Sequence, residues 1–145
     1  MLSPTGHRAE VRLCNRLDEL DRLHALVAQF SSTNRLSTEI AFALSLAIEE
    51  LVTNVILHGY DDAAEHVIVV SLSLDAGAVV VEMEDDGRSF DSTRAPAVDL
   101  SLDPQQRRIG GLGLHFVRST MDEMTYHRRG NRNHLLMKKR IGETI

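Results

Sequence analysis

The sequence predicts an α/β fold, a two-layer sandwich in which a mixed, mainly antiparallel sheet is covered on one face by helices. Three observations lead there. Apolar residues recur at helical spacing over 17–30 and again over 37–58, which gives amphipathic helices that need a sheet to cover. Residues 67–74 and 78–84 alternate with a period of two, as strands do. Between them, Asp75-Ala76-Gly77 is a short hairpin signal.

In chain order, an extended segment over 8–14 comes first. The helix over 17–30 follows, with Leu20, Leu23, Leu26, Val27 and Phe30 on one face. Ser37 then caps a longer helix whose stripe is Ile40, Leu44, Ile48, Leu51, Val52 and Val55, and Gly59 stops it. After the two strands, residues 88–108 hold Pro96 and Pro104 and show little regular pattern; a loop of that length inside a domain is usually functional. A helix opens at the glycines from Gly110, with Gly113, Phe116, Val117 and Thr120 on a common face. Residues 124–129 and 134–140 flank Gly130-Asn131 as a final hairpin. There is no internal repeat, and 1–145 is expected to form a single domain.

Composition narrows the class. The 145 residues are 43% hydrophobic and 26% charged, ordinary for a globular domain. A formal net charge of -5 gives no broad electrostatic footprint for nucleic acid, so direct DNA binding is not expected. Cys14 is the one cysteine and has no internal disulfide partner. No basic-then-apolar leader opens the chain, and no uninterrupted apolar run reaches the roughly 18 residues read as a membrane span. The cytoplasm is the expected compartment. The seven histidines show no metal-ligand spacing, and the basic run from Arg128 to Arg132 reads as a solvated charge cluster in a turn.

Chemistry concentrates in three short stretches. In Glu50-Leu-Val-Thr-Asn54, at roughly 100° per residue, Glu50 and Asn54 fall about 40° apart on one flank of the apolar stripe, so both can point into a cleft. A carboxylate there can take a proton, and an amide oxygen is a hard ligand suited to Mg²⁺. His58 stands one turn further on, a helix-end residue and a candidate nucleotide contact. In Asp85-Asp-Gly87-Arg-Ser-Phe90, Asp85 continues the apolar row of Val79, Val81 and Met83. A charge placed in such a row needs a partner, and the exocyclic amine of adenine would serve. Gly87 permits an unusual backbone conformation or a close approach, and Phe90 can cover what lies there. In Gly110-Gly-Leu-Gly113-Leu114, unpaired amides at a helix start are available to phosphate oxygens, with Arg107 and Arg108 just ahead. This is neither a dinucleotide fingerprint nor a Walker A loop: Phe116 stands where a last glycine or alanine is needed, and no Gly-Lys-Ser/Thr follows. Taken singly, each stretch has a bland alternative: a solvated Glu with a helix-flank Asn, an Asp-Gly turn, or a loop entering a helix.

Taken in order, the three stretches resemble the small ATP-binding anti-sigma-factor serine/threonine kinases of bacterial partner-switching systems. These are a branch of the gyrase, heat-shock chaperone, histidine kinase and mismatch-repair (GHKL) ATPase superfamily, with its Bergerat-type ATP-binding fold. The resemblance runs through Glu50-Leu-Val-Thr-Asn54-Val-Ile-Leu-His58-Gly59-Tyr60, Glu84-Asp-Asp-Gly87-Arg-Ser-Phe90-Asp91 and Gly110-Gly111-Leu112-Gly113-Leu114-His-Phe-Val117, and covers nearly the whole chain. It implies that Asn54 holds Mg²⁺, Glu50 is the base or hydroxyl-orienting group, and Asp85 reads the adenine amine. Gly87 gives the base room, Gly111 and Gly113 cradle phosphates, and an ATP lid spans about 88–110. The implied binding set also takes in His58, Phe90, Arg107, Arg108, Gly110, Leu112 and Leu114. ATP or ADP with Mg²⁺ are the implied cofactors. A sigma factor is the implied inhibited partner, a STAS-type anti-anti-sigma protein the implied substrate, and a homodimer the implied assembly. A nucleotide-loaded module that sequesters a partner without chemistry is the alternative, and the pocket residues do not separate the two.

Overall fold

Alternation and capping place the elements. The structure, a computed structural model, describes residues 8–94 and 111–142. The described elements run β1 (Arg8–Cys14), a 3₁₀ turn (Leu17–Glu19), α1 (Leu20–Thr33), α2 (Thr38–His58), β2 (Val67–Asp75), β3 (Ala78–Asp85), α3 (Gly111–Thr120), β4 (Glu123–Arg129) and β5 (Arg132–Arg140). α2 starts where the Ser37 hydroxyl accepts the Ile40 N–H at 3.1 Å, and it ends at Gly59, whose N–H returns to the Val55 carbonyl. The first helix differs from expectation at both ends. The Glu19 carboxylate accepts the Cys14 N–H at 2.8 Å and tightens the entry into a 3₁₀ turn. At the other end α1 continues to Thr33, where the Asn34 amide donates to the Phe30 carbonyl at 2.9 Å.

The hairpin between β2 and β3 is tighter than expected, because Asp75 pairs with Ala78 and only Ala76 and Gly77 form the loop. Both have positive φ, 48° and 80°, the conformation a two-residue turn asks for. β5 likewise begins at Arg132, before the expected 134, since the turn closes directly on the Arg129–Arg132 pair. The sheet order is β1-β2-β3-β5-β4. Every described pairing is antiparallel. The expected mixed character survives only as a split crossover: β3 and β4 run the same way through α3, but β5 lies between them.

Register assembles the core in rows. Ala9, Leu72, Val81, Met137 and Met124 form one row, and Val11, Val70, Met83, Leu135 and Tyr126 the next. Against them pack Leu23, Val27 and Phe30 of α1, Leu44, Ile48, Leu51 and Val52 of α2, and Leu114 and Val117 of α3. Each such side chain contributes roughly 1.5–3 kcal/mol by leaving water. One row further along, the apolar face ends in Asp85, Asn133 and Arg128. By length and composition α2 is apolar enough to cross a membrane, although Glu39, Glu49 and Glu50 interrupt its apolar residues. Its Leu44, Ala47, Ile48, Leu51 and Val52 are buried in this core.

Candidate functional site

A cavity of about 560 Å³ opens between the C-terminal half of α2, the segment after it, the end of β3 and the β4–β5 hairpin. Asn54, His58, Tyr60, Asp85, Phe90, Leu114, Tyr126 and Asn133 are among its lining residues. Asp85 is 3% exposed. Its Oδ1 accepts the Gly87 N–H at 2.8 Å and the Asn133 amide at 2.9 Å, which leaves Oδ2 outside both bonds. Burial pushes the carboxyl above the usual aspartate value, against the opposing hydrogen bonds from Asn133 and Gly87. The sequence expectation that this carboxylate needs a partner is met first by Asn133, a residue that reading did not single out.

Asn133 is the centre of a wider network. Its amide also donates to the Arg88 carbonyl at 2.9 Å and the Gly87 carbonyl at 3.3 Å, while its oxygen accepts from the Tyr126 hydroxyl at 2.6 Å and from Arg128 at 3.0 Å. Arg128 reaches the Gly87 carbonyl as well, at 2.9 Å. The basic run lies largely exposed in the hairpin turn as expected, and two of its members are also engaged: Arg128 braces the turn after Asp85, and Arg132 pairs with Glu84. Gly87 serves close approach rather than a positive φ, because a Cβ there would stand 2.9 Å from the Gly59 carbonyl oxygen. The Arg88 N–H donates to that same oxygen at 2.8 Å, which joins the end of α2 to the end of β3.

The other end of the site is less satisfied. Glu50 does not line the cavity itself but sits beside it, where α2 meets α3: a Cβ on Gly113 would fall 2.2 Å from its Oε1. Glycine at 113 is what lets the α3 backbone come this close. The Glu50 Oε2 is buried with no hydrogen-bond partner. Burial raises the Glu50 carboxyl above the usual glutamate value, a hydrogen bond from Asn54 opposes the rise, and Glu49 adds to it. An amide that gives its N–H to a carboxylate keeps its own oxygen for another ligand.

Expected site residues are thus brought together from separate segments. Asn54, His58, Asp85, Phe90 and Leu114 line the cavity, and Gly87 shapes its rim. Gly111, Leu112 and Gly113 form the first turn of α3. Arg107, Arg108 and Gly110 lie outside the described residues, as does most of the expected lid at 88–110. Tyr126 and Asn133 went unread although a signal was available: Asn133 heads the alternating row Asn133, Leu135, Met137 just as Asp85 ends Val79, Val81, Met83.

A helix-backed antiparallel sheet with a cleft between its central strands and a capped core helix defines a class of two-layer α/β domain, and comparison with known proteins is specific about which. The chain belongs to the histidine kinase-like ATPase domain family, whose model matches residues 13–139. It is 31% identical to the serine/threonine-protein kinase BtrW of Bordetella bronchiseptica, over 72% of this chain and 73% of that one. It is 33% identical to the anti-sigma F factor of Bacillus thuringiensis, over 69% of this chain and 66% of the relative, and 32% identical to the serine-protein kinase RsbW of Listeria monocytogenes, over 56% and 54%. The crystal structure of the RsbU and RsbW domains of a Mycobacterium tuberculosis protein shares the fold, with a TM-score of 0.69 at 16% identity, over 94% of this chain and 33% of that one. Within the family the chain falls in the branch of anti-sigma-factor kinases.

Proposed function

We propose that this protein is an ATP-dependent serine/threonine kinase and anti-sigma factor, which sequesters a sigma factor and phosphorylates a STAS-type anti-anti-sigma antagonist. The observation that carries the reading is Glu50, a carboxylate with one oxygen buried and unpaired, one helical turn before Asn54 and against the first turn of α3. A charge left unsatisfied costs stability, so a group kept this way is a candidate for chemistry. The names of the relatives, a serine/threonine-protein kinase and an anti-sigma F factor, support the same assignment.

Phosphoryl transfer asks mainly for positioning and charge stabilisation. In this reading Asp85 takes the adenine amine, and Gly87 leaves space for the base beside Phe90, His58 and Leu114. The backbone of Gly111, Leu112 and Gly113 faces phosphate oxygens at a helix N-terminus, with Arg107, Arg108 and Gly110 assigned to the same phosphates. Asn54, one turn after Glu50 and lining the cavity, offers an amide oxygen that fits a hard cation; bound Mg²⁺ would neutralise phosphate charge. Glu50 accepts the proton of the substrate hydroxyl as that oxygen bonds to the γ-phosphorus and the bond to the bridging oxygen breaks, releasing ADP. Its raised pKa brings it nearer the working pH of a general base. The whole chain works as one domain in the cytoplasm, as a homodimer, with no call for nucleic acid or membrane.

Incubation of the purified protein with labelled ATP, Mg²⁺ and STAS-type proteins encoded nearby tests the proposal. Label on a serine or threonine of one of them is the expected result. Nucleotide and partner binding without any transfer would replace the kinase by a sequestering module.

A further inference from the structure

The cavity wall opposite the Glu50 end is built on a cluster that the reaction above does not use. His66, the residue before β2, has its Nε2 2.8 Å from an Asp62 oxygen and its Nδ1 3.1 and 3.2 Å from the two oxygens of Asp86. Ionised carboxylates only accept, so serving both at once requires a proton on each ring nitrogen; a neutral imidazole serves one. Asp62 belongs to the segment after α2, and Asp86 directly follows Asp85, so the ring ties that segment to the turn at Gly87. The backbone of His66 is itself anchored, donating to Asn15 Oδ1 at 2.9 Å and accepting the Asn15 N–H at 3.1 Å. Its ring stacks on Tyr60 at 4.0 Å and 14°, a geometry in which an imidazolium gains from the ring face. Tyr60 lines the cavity, and its hydroxyl is buried near Asp86.

We propose that His66 is a positioning residue for the nucleotide: as a cation between Asp62 and Asp86 it holds the Tyr60 wall and the turn after Asp85, and nucleotide binding weakens when it becomes neutral. The inference rests on the nucleotide reading of the cavity. The charged groups facing the cluster are Asp62, Asp86 and, beyond Tyr60, Asp85, with Arg132 of β5 as the cation that acts on Tyr60 and Asp86. Hydrogen bonds to Asp62 and then Asp86 hold His66 above the usual histidine value, and the bond to His66 is in turn the largest cause lowering Asp62. The sign follows: the clamp is complete below the ordinary histidine value and is lost as pH rises through the raised one.

The test is calorimetric titration with Mg-ADP of the wild type and His66→Gln, across about pH 5.5 to 8.5. Wild-type affinity is expected to fall about tenfold as pH rises, the scale of one lost charge-assisted hydrogen bond. The ratio of wild-type to His66→Gln affinity should fall from about tenfold at low pH to about one at high pH. Phosphate ionisation of ADP is common to both proteins and cancels in their ratio. By reciprocity the His66 ring, followed by NMR, should titrate at higher pH with Mg-ADP bound than without. Asp62→Asn, which keeps the ring and Asp86, should move the affinity transition to lower pH and serves alone where His66→Gln does not fold. Parallel pH profiles for wild type and variant, or a ring titration indifferent to Mg-ADP, overturn the role of His66 while leaving the nucleotide site standing. Failure of the wild type to bind Mg-ADP at any pH removes the nucleotide reading and this inference with it.

Discussion

At the Asp85 end of the cavity, Asn133 spends its amide on Asp85, Gly87 and Arg88 and its oxygen on Tyr126 and Arg128. At the Glu50 end, a carboxylate oxygen is buried with nothing to bind, held off only by a glycine. The first arrangement holds its edge in shape at little cost, since the Asn133 amide and oxygen and the Asp85 Oδ1 are all satisfied. The second forgoes about 1–3 kcal/mol by leaving a bond unmade. One end of the same cleft is thus built for shape, and the other is kept in want of a proton.

The sharpest way to break the contrast is Glu50→Gln, which keeps shape and removes the base. Phosphoryl transfer at saturating ATP should drop by about 10² to 10⁴, while nucleotide affinity stays close to wild type. Glu49→Gln, on the neighbouring residue bound to His24, should change the rate little. Because burial raises the Glu50 carboxyl, the wild-type rate should fall on acidification at a higher pH than an ordinary glutamate would give, and a pH–rate profile of the Gln variant should lack that limb. Equal activity of Glu50→Gln would end its role as base.

Gly113→Ala asks whether the close approach matters for geometry alone. The added carbon would stand 2.1 Å from the Glu50 Cδ and 2.7 Å from its Cγ, so the side chain must shift: thermal stability should fall modestly, while the displaced carboxylate should cost about 10²-fold in transfer rate. Melting curves beside kinase assays separate the two. Asp85→Asn acts at the opposite end and should weaken ATP binding by about one to two decades in calorimetry. Unchanged affinity in the folded variant would take Asp85 out of the site. Smallest in functional effect, Asn133→Ala should lower unfolding free energy by about 1–3 kcal/mol in urea titration, because Asp85, Tyr126 and Arg128 all lose a partner. A stable Asn133→Ala would mean that the satisfied end tolerates disorder as readily as the other.

Features that depend on neighbours in sequence were legible. The Ser37 cap, the Gly59 stop, the hairpin at Asp75-Ala76-Gly77, which closes one residue tighter, and the direction of Asp85 all follow from local chemistry and period. Features that depend on register were not. Asn133 meets Asp85 across 48 residues, through a pairing that places the last strand between β3 and β4. The solvated turn that local chemistry gives Arg128 is there, but its bond to the Gly87 carbonyl depends on the same pairing. Likewise His66 looks like one more scattered histidine until the segment after α2 folds back on Asp86.

That late pairing also has a consequence for a protein being made. Loop closure over long separations is slow, and the chain leaves the ribosome in order. While β3 has emerged and β5 has not, Asp85 has the Gly87 N–H but lacks the Asn133 amide, and the β3 edge is an open strand. If Asp85 reads adenine as proposed, a nascent chain holding Glu50 and Asn54 in a formed α2 would still be unable to grip a nucleotide, and competence would arrive in one step with the β4–β5 hairpin.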